Sequence, residues 1–266
     1  MNIHPTAVVD KSAVIDENAE IGAYSVLNGK VEIGEGTVVR EHVTIYGPLK
    51  LGKGNIVHAG AILGNVSQDL KYKGEESQVI IGNNNSFREC VTVNQGTAAN
   101  KGKTIIGDNN FIMAYTHIAH DCFIGNNVII ANGTQLAGHI HINDNAYIGG
   151  LVGIHQFVTI GRNSFLGFLS RINRDVPPFL TVEGNPGKER AVNVIGLKRK
   201  NYSTEDITLL KKAFMILFMV GKTLKENSQI LRSGEFASNQ YVQELLEFCE
   251  ARAKGKNGRA LEAMRH

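Results

Sequence analysis

Stepping along the chain in sixes from Ile3 lands on Val9, Ile15, Ile21, Leu27, Ile33, Val39, Ile45, Leu51, Val57 and Leu63, every one aliphatic. The same phase returns at Ile81, Phe87 and Val93. It then restarts one residue out of step at Ile106 and runs through Ile112, Ile118, Ile124, Ile130, Leu136, Ile142, Ile148, Ile154, Ile160, Leu166 and Ile172. Glycine often follows the aliphatic residue, as at Gly22, Gly34, Gly107 and Gly161, and small residues recur four places after it, as at Ala7, Ala13 and Ala146. A period of six matches neither a helix at 3.6 residues per turn nor a simple alternating strand. It fits short strands joined by tight corners and wound as a parallel β-helix. Cys122 occupies one of the small slots and reads as a buried thiol rather than a nucleophile.

Near Asn185 the period is lost and a helical pattern replaces it. "STEDITLLKKAF" opens with a capping box from Ser203 to Asp206 and carries apolar residues at Ile207, Leu210, Phe214 and Leu217. "NQYVQELLEFCEARAK" reads as a further amphipathic helix. The expected division is a β-helix over 1–185 and a C-terminal helical domain over 186–266. Two polar stretches interrupt the ruler. "SQDLKYKGEES" (67–77) reads as replacing one whole turn, because Leu63 and Ile81 are three hexads apart, while "NQGTAANKGK" (94–103) shifts the phase by one position. Solenoid insertions commonly serve binding, and Gln68, Asp69, Lys71 and Tyr72 stand together in the first.

The chain has 266 residues, 42% hydrophobic and 20% charged, with a net charge of +3, which is too weakly basic to argue for nucleic acid. Cys90, Cys122 and Cys249 form no CxxC and no even framework, which argues against a disulfide scaffold. The N-terminus has neither a basic nor an apolar leader segment, and the longest apolar run, "AFMILFMV" at 213–220, is too short to span a bilayer. The expectation is a cytoplasmic protein without an integral membrane segment.

Candidate chemistry centres on "THIAHDC" (116–122). The period of six resembles that of the hexapeptide acyltransferases, which implies a coil of triangular section with three hexads per turn; on that reading the chain returns to the same column every 18 residues, so His120, Gly138 and Gln156 should stack, beside a column of Asp121, His139 and Phe157. A histidine suits general-base work near neutral pH, and a glycine N–H can approach a reacting oxygen closely. Spacing alone leaves a metal site, a base with its orienting partner, and polar surface open.

"SQDLKYKGE", "HIAHDC", "LAGH", "HQF", "DVPP" and "NVIGLKRK" occur in this order over essentially the whole chain, and together they resemble the UDP-N-acetylglucosamine O-acyltransferase family that begins lipid A biosynthesis. The resemblance implies a left-handed β-helix and a homotrimer with active sites between subunits. It also implies transfer of a 3-hydroxyacyl chain from acyl carrier protein, where phosphopantetheine carries it, to the sugar 3-position, with no other cofactor and no metal. By motif position His120 matches the family's general base, Asp121 its orienting partner and Gly138 the oxyanion donor. Gln68, Asp69, Lys71, His117, His139, His155, Gln156, Asn193, Arg199 and Lys200 fall on substrate-contacting positions. Ile195 stands where the family often has Glu and Lys200 where it often has Arg. Asn94 replaces a common histidine, leaving UDP-N-acetylglucosamine and its 3-amino analogue both open as acceptor. Phe168 and Arg171 in "GFLSRINRD" are candidate stops for the acyl chain. The rivals are the N-acyltransferase of the same pathway, which carries an added N-terminal domain, and a γ-type carbonic anhydrase, whose paired histidines lie five apart rather than three. A scaffold without activity is the third.

Overall fold

The computed structural model describes residues 2–100 and 102–264; Met1, Lys101 of the second interruption, Arg265 and His266 lie outside the described residues. Its strands, mostly two or three residues long, stack into three sheets of eleven, nine and eight strands, parallel throughout except for the last strand of the first sheet. The first face of the prism begins at Asn2–Ile3, the second at Val8–Val9 and the third at Val14–Ile15. Because each hexad supplies one strand and one corner, the inward residue of every strand meets its counterpart three hexads on, as Ile112 meets Ile130 and Ile130 meets Ile148. Those inward aliphatics form one continuous core, with Ile118, Ile124, Ile130 and Ile142 fully buried. In the first described rung Ile3, Val9 and Ile15 are only partly covered. The corners require a left-handed backbone: Asn127, Asn145 and Asn163 provide it between the third and first faces, and Tyr115 and Leu151 between the first and second. Asparagine adopts this conformation readily, whereas Leu and Tyr do so at a cost that the surrounding rungs must offset.

The register corrects the reading of the first interruption. Leu51 pairs with Ile81, five hexads on, where the regular step is three, so two hexads are added rather than a turn replaced. Leu63 lies on the second face and Ile81 on the third. An insertion of whole hexads lets the aliphatic phase pass through unchanged, which hid it. Ile81 pairs with Ile106, one position beyond four hexads, so the second insertion adds a hexad and a single extra position, and the phase shifts by one. Both loops leave the coil at the corner between the second and third faces, on successive rungs. They brace each other: Ser77 Oγ donates to Gln95 Oε1 (2.9 Å), Gln95 Nε2 donates to Gly64 O (2.8 Å), and the Ala98 N–H reaches Glu75 Oε1 (3.3 Å).

Past Ile172 the strand Leu180–Glu183 extends the first face and turns back antiparallel through Lys188–Val192, so position 185 falls in that turn. Five α-helices follow among the described residues: α1 Val194–Arg199, α2 Thr204–Phe218, α3 Leu224–Leu231, α4 Gln240–Lys254 and α5 Ala260–Ala263. They enclose a second core containing Ile207, Leu210, Phe214, Leu245 and Leu246. At the start of α2 only half of the expected capping box forms. Ser203 Oγ accepts from Asp206 N, but the short Asp206 carboxylate takes the Ser203 hydroxyl instead of reaching its backbone N–H. The complete box is Thr223 with Glu226 at α3, whose longer side chain spans the gap. Asp175 of "DVPP" clamps the helices to the coil, accepting from the backbone N–H groups of Thr159 (2.8 Å) and Ala260 (2.7 Å). Among the described residues no helix is long and apolar enough to cross a membrane.

Candidate active site

His120, Asp121 and Cys122 form the corner between the second and third faces directly above the two loops. Asp121 adopts a left-handed backbone, as do His139 and Phe157 one and two turns on, so the three side chains splay from one column. Backbone bonds from His139 N to His120 O (3.0 Å) and from Phe157 N to Gly138 O (3.3 Å) set the predicted stacking of His120 under Gly138. His120 Nδ1 meets Asp121 Oδ2 at 2.8 Å, and both residues are buried. The imidazole lies close against Gly138: a Cβ there would fall 2.6 Å from His120 Nε2, so a side chain at this position would displace the ring. Among the described residues the Gly138 N–H is taken by no acceptor. His139 stands edge-on to His120 at 5.1 Å and stacks on Phe157 at 4.5 Å, with its Nε2 3.6 Å from Asp121 Oδ2. Cys122 is buried, its thiol pushed up to about 12 by burial, which removes it as a nucleophile at neutral pH.

Histidine, carboxylate and second histidine bring their ligand atoms within 4.8 Å of one another, close enough for a metal ion. Both Asp121 oxygens, however, already accept hydrogen bonds: Oδ1 from Thr97 N and Oδ2 from Thr97 Oγ1 and the His120 ring. Thr97 was not anticipated from the sequence. The available signal was positional, since a loop leaving the coil at the same corner as Asp121 must pass beside it.

Two clefts meet at this corner. One, of about 590 Å³, is lined by Asp69, Lys71, Thr97, His139 and Phe157, with Leu261 of α5 at its edge. Asp69 is held in a turn, its Oδ1 accepting from Lys71 N at 2.9 Å, while Gln68 is exposed with its side chain outside this cleft's lining. The other is a shallow groove up the second face, where His117, Gln135, Gly153 and Arg171 are successive register partners. His117 Nδ1 is 2.8 Å from Thr92 Oγ1, and burial with the neighbouring His120 lowers its pKa. At Gly153 a Cβ would meet nothing within 4 Å, so the groove is notched there and Arg171 stands at its far end beside His155. Gln156 is exposed above Gly138 on the same column. Phe168 sits elsewhere, 64% exposed on the corner between the first and second faces.

Asn94 ends the strand Thr92–Asn94 rather than lying in the loop. Its amide nitrogen donates to Val66 O and Asn65 O, and its buried Oδ1 has no partner among the described residues. Asn193, Arg199 and Lys200 lie far from His120. They border a pocket of about 650 Å³ on the first face, with Ile195, Tyr147 and Phe165. Asn193 caps α1 by accepting from Gly196 N and ties it to the coil by donating to Asn163 O. In a triangular prism the first face lies opposite the corner that carries His120, so one chain does not bring the two groups together.

Comparison with known proteins matches residues 175–257 to the family model described as "Udp N-acetylglucosamine O-acyltransferase; Domain 2". Residues 12–47 and 103–138 match the bacterial transferase hexapeptide repeat. A curated relative from Thermodesulfovibrio yellowstonii, named acyl-[acyl-carrier-protein]–UDP-N-acetylglucosamine O-acyltransferase, is 46% identical over 95% of this chain and 98% of its own. Among solved structures, the UDP-N-acetylglucosamine acyltransferase of Francisella novicida is 38% identical, with a TM-score of 0.89 over 93% of this chain and 91% of its own. The Arabidopsis UDP-N-acetylglucosamine acyltransferase is 32% identical, with a TM-score of 0.85 over 95% and 97%.

Proposed function

The chain belongs to the acyl-[acyl-carrier-protein]–UDP-N-acetylglucosamine O-acyltransferase family, with its left-handed β-helix and C-terminal helices, and from that premise we propose the chemistry of its site. The enzyme moves a 3-hydroxyacyl chain from acyl carrier protein to the 3-position of a UDP-N-acetylglucosamine-type sugar, the opening reaction of lipid A synthesis. The observation that carries the assignment of roles is the His120 ring, held by Asp121 on Nδ1 and pressed against the backbone of Gly138 on its other side. Nε2 removes the proton from the sugar 3-OH as its oxygen attacks the thioester carbonyl. Asp121 fixes the tautomer and stabilises the imidazolium that results. The Gly138 N–H donates to the oxyanion. Collapse of the tetrahedral intermediate breaks the C–S bond, and the imidazolium proton passes to the departing phosphopantetheine thiolate.

The separation of Arg199 and Lys200 from His120 supports a homotrimer in which one subunit's α1 closes over the next subunit's corner. Two kinds of exposed surface agree with this. The corner between the first and second faces carries Tyr24, Tyr115, Leu151, Phe168 and Leu169, each more than half exposed, an apolar strip that neighbouring copies would cover. The short α1 presents Lys198, Arg199 and Lys200 at its C-terminal end, suited to a diphosphate and to the acidic carrier protein. The proposed division is a catalytic β-helix over 1–185 and a C-terminal domain over 186–266 that opens with the returning strand Lys188–Val192 and continues as helices, with a cytoplasmic site of action. The acyl tail is placed in the second-face groove running from His117 past Gly153 towards Arg171.

Mass spectrometry of products made from UDP-N-acetylglucosamine and from its 3-amino analogue, each with carrier protein loaded with several chain lengths, tests the reading. An ester from the first sugar is expected. An amide from the analogue alone would transfer the assignment to that acceptor, and no acylated sugar from either would overturn it.

A further inference from the structure

We propose that Thr97, in the second loop, is a positioning residue for the reaction: it holds the Asp121 carboxylate in the plane from which Asp121 holds His120. The proposal rests on His120 being the base. The Thr97 backbone N–H donates to Asp121 Oδ1 at 2.8 Å and its hydroxyl donates to Oδ2 at 2.7 Å, the same oxygen that His120 Nδ1 meets at 2.8 Å. Thr97 is 4% exposed and Asp121 1%, so water does not substitute for these bonds. A second threonine fixes the backbone of the acid, Thr104 Oγ1 accepting from Asp121 N at 2.9 Å.

A carboxylate gripped on one oxygen can still turn about its Cβ–Cγ bond, whereas one gripped on both oxygens by a single residue cannot. The grip comes from a chain segment four hexads before Asp121. That segment is itself braced, because the Ala98 N–H reaches Glu75 and Gln95 is tied to Ser77 and Gly64. The loop bearing Asp69 and Lys71 and the base of the reaction are thereby parts of one hydrogen-bonded frame. The two Thr97 donors also draw charge from the carboxylate. Without the hydroxyl, more negative charge remains on Oδ2, the imidazolium is held more tightly, and His120 gives up its proton at higher pH.

Thr97→Val keeps the shape and the backbone N–H but removes the hydroxyl, and Thr97→Ser keeps the hydroxyl. For Thr97→Val the expected result is a fall in kcat of about tenfold, the effect of losing one hydrogen bond to a charged group, with KM for the nucleotide sugar unchanged. The acid limb of the pH–rate profile and the NMR titration of the His120 ring should both move to higher pH. Thr97→Ser should match the unaltered enzyme in all three. Wild-type kcat with an unmoved titration in Thr97→Val overturns the proposal. So does an equal loss in Thr97→Val and Thr97→Ser, which marks a packing effect. Should Thr97→Val fail to fold, Thr97→Ala is compared with Thr97→Ser on the same readouts. The base assignment fails separately: a fully active His120→Ala overturns it, while the titration still reads the Thr97–Asp121–His120 chain by itself.

Discussion

His120 and Arg199 are proposed to act on one substrate, yet they sit on opposite sides of the prism and are held by different means. Around His120 every neighbour is a rung of the coil or a loop braced to it: the ring is buried under Gly138, against Asp121, with Thr97 behind. Around Arg199 the support is a short helix of under two turns fixed by one capping side chain, Asn193, and the arginine itself is exposed. Proton transfer needs atoms fixed to a fraction of an ångström, and a stack of identical backbone turns supplies that. Holding a flexible, charged nucleotide does not, and an exposed cation at a helix end suffices.

The first way to break this comparison is at the corner. His120→Ala is expected to lower kcat by about 10²–10⁴ with nucleotide affinity nearly unchanged, since the base acts only in the transition state. Steady-state kinetics alongside nucleotide binding would show it, and near wild-type turnover would remove the distinction between the two regions. Arg199→Ala is the converse. A weakening of nucleotide binding by roughly 10- to 100-fold, as for a lost charge-assisted hydrogen bond, should come with a smaller change in kcat, read by calorimetry and kinetics. If Arg199→Ala instead abolishes kcat at saturating substrate, the first-face pocket is part of the chemistry.

The second-face groove that begins beside His120 sharpens the comparison further. Each rung advances roughly 4.8 Å, close to the length of four extended carbons, and Arg171 stands three rungs beyond His117. Arg171→Ala is expected to shift preference several-fold towards fourteen-carbon donors over twelve in a competition assay. Phe168→Ala, on the neighbouring corner, shifts it only if that corner faces the groove of an adjacent copy. If neither changes the preference, the length limit lies elsewhere. The smallest expected effect is on stability. His117 and His141 both have pKa values lowered by burial, so below about pH 6.5 the unfolded chain binds more protons than the folded one. Stability should therefore fall as pH drops through that value towards the folded pKa values, lowering Tm by a few degrees between pH 7.5 and 5.5. An unchanged Tm would mean that these rings titrate alike in both states.

The aliphatic ruler made the coil legible because a core residue every six positions leaves no other solution, and the three-hexad column placed His120 under Gly138 and Asp121 beside His139. The same arithmetic failed at the first insertion. Two whole hexads are invisible to a period of six, so Leu63 and Ile81 looked like one turn when they lie on different faces. Thr97 escaped for a related reason: its partner is fixed by where the loop leaves the coil, which no periodicity records. Phe168 and Arg171, close together in the chain, were equivalent on paper, and only the corner between them sends one into the second-face groove and the other away from it. At α2, Asp206 has the right spacing for a capping box but one methylene too few.

The unequal ends of the coil have a consequence for how the molecule opens. In the first described rung Ile3, Val9 and Ile15 are only partly covered, while past Ile172 the strand Leu180–Glu183, its antiparallel partner and the helices close the stack. A solenoid whose rungs contact only adjacent rungs loses order from its weaker end inward, one rung at a time. Amide exchange in the protein should thus run as a gradient, fastest near Asn2 and slowest beneath the helices. The rungs from His120 to Arg171 lie at the slow end, so the first rungs can fray and reform while His120, Gly138 and Arg171 keep their spacing.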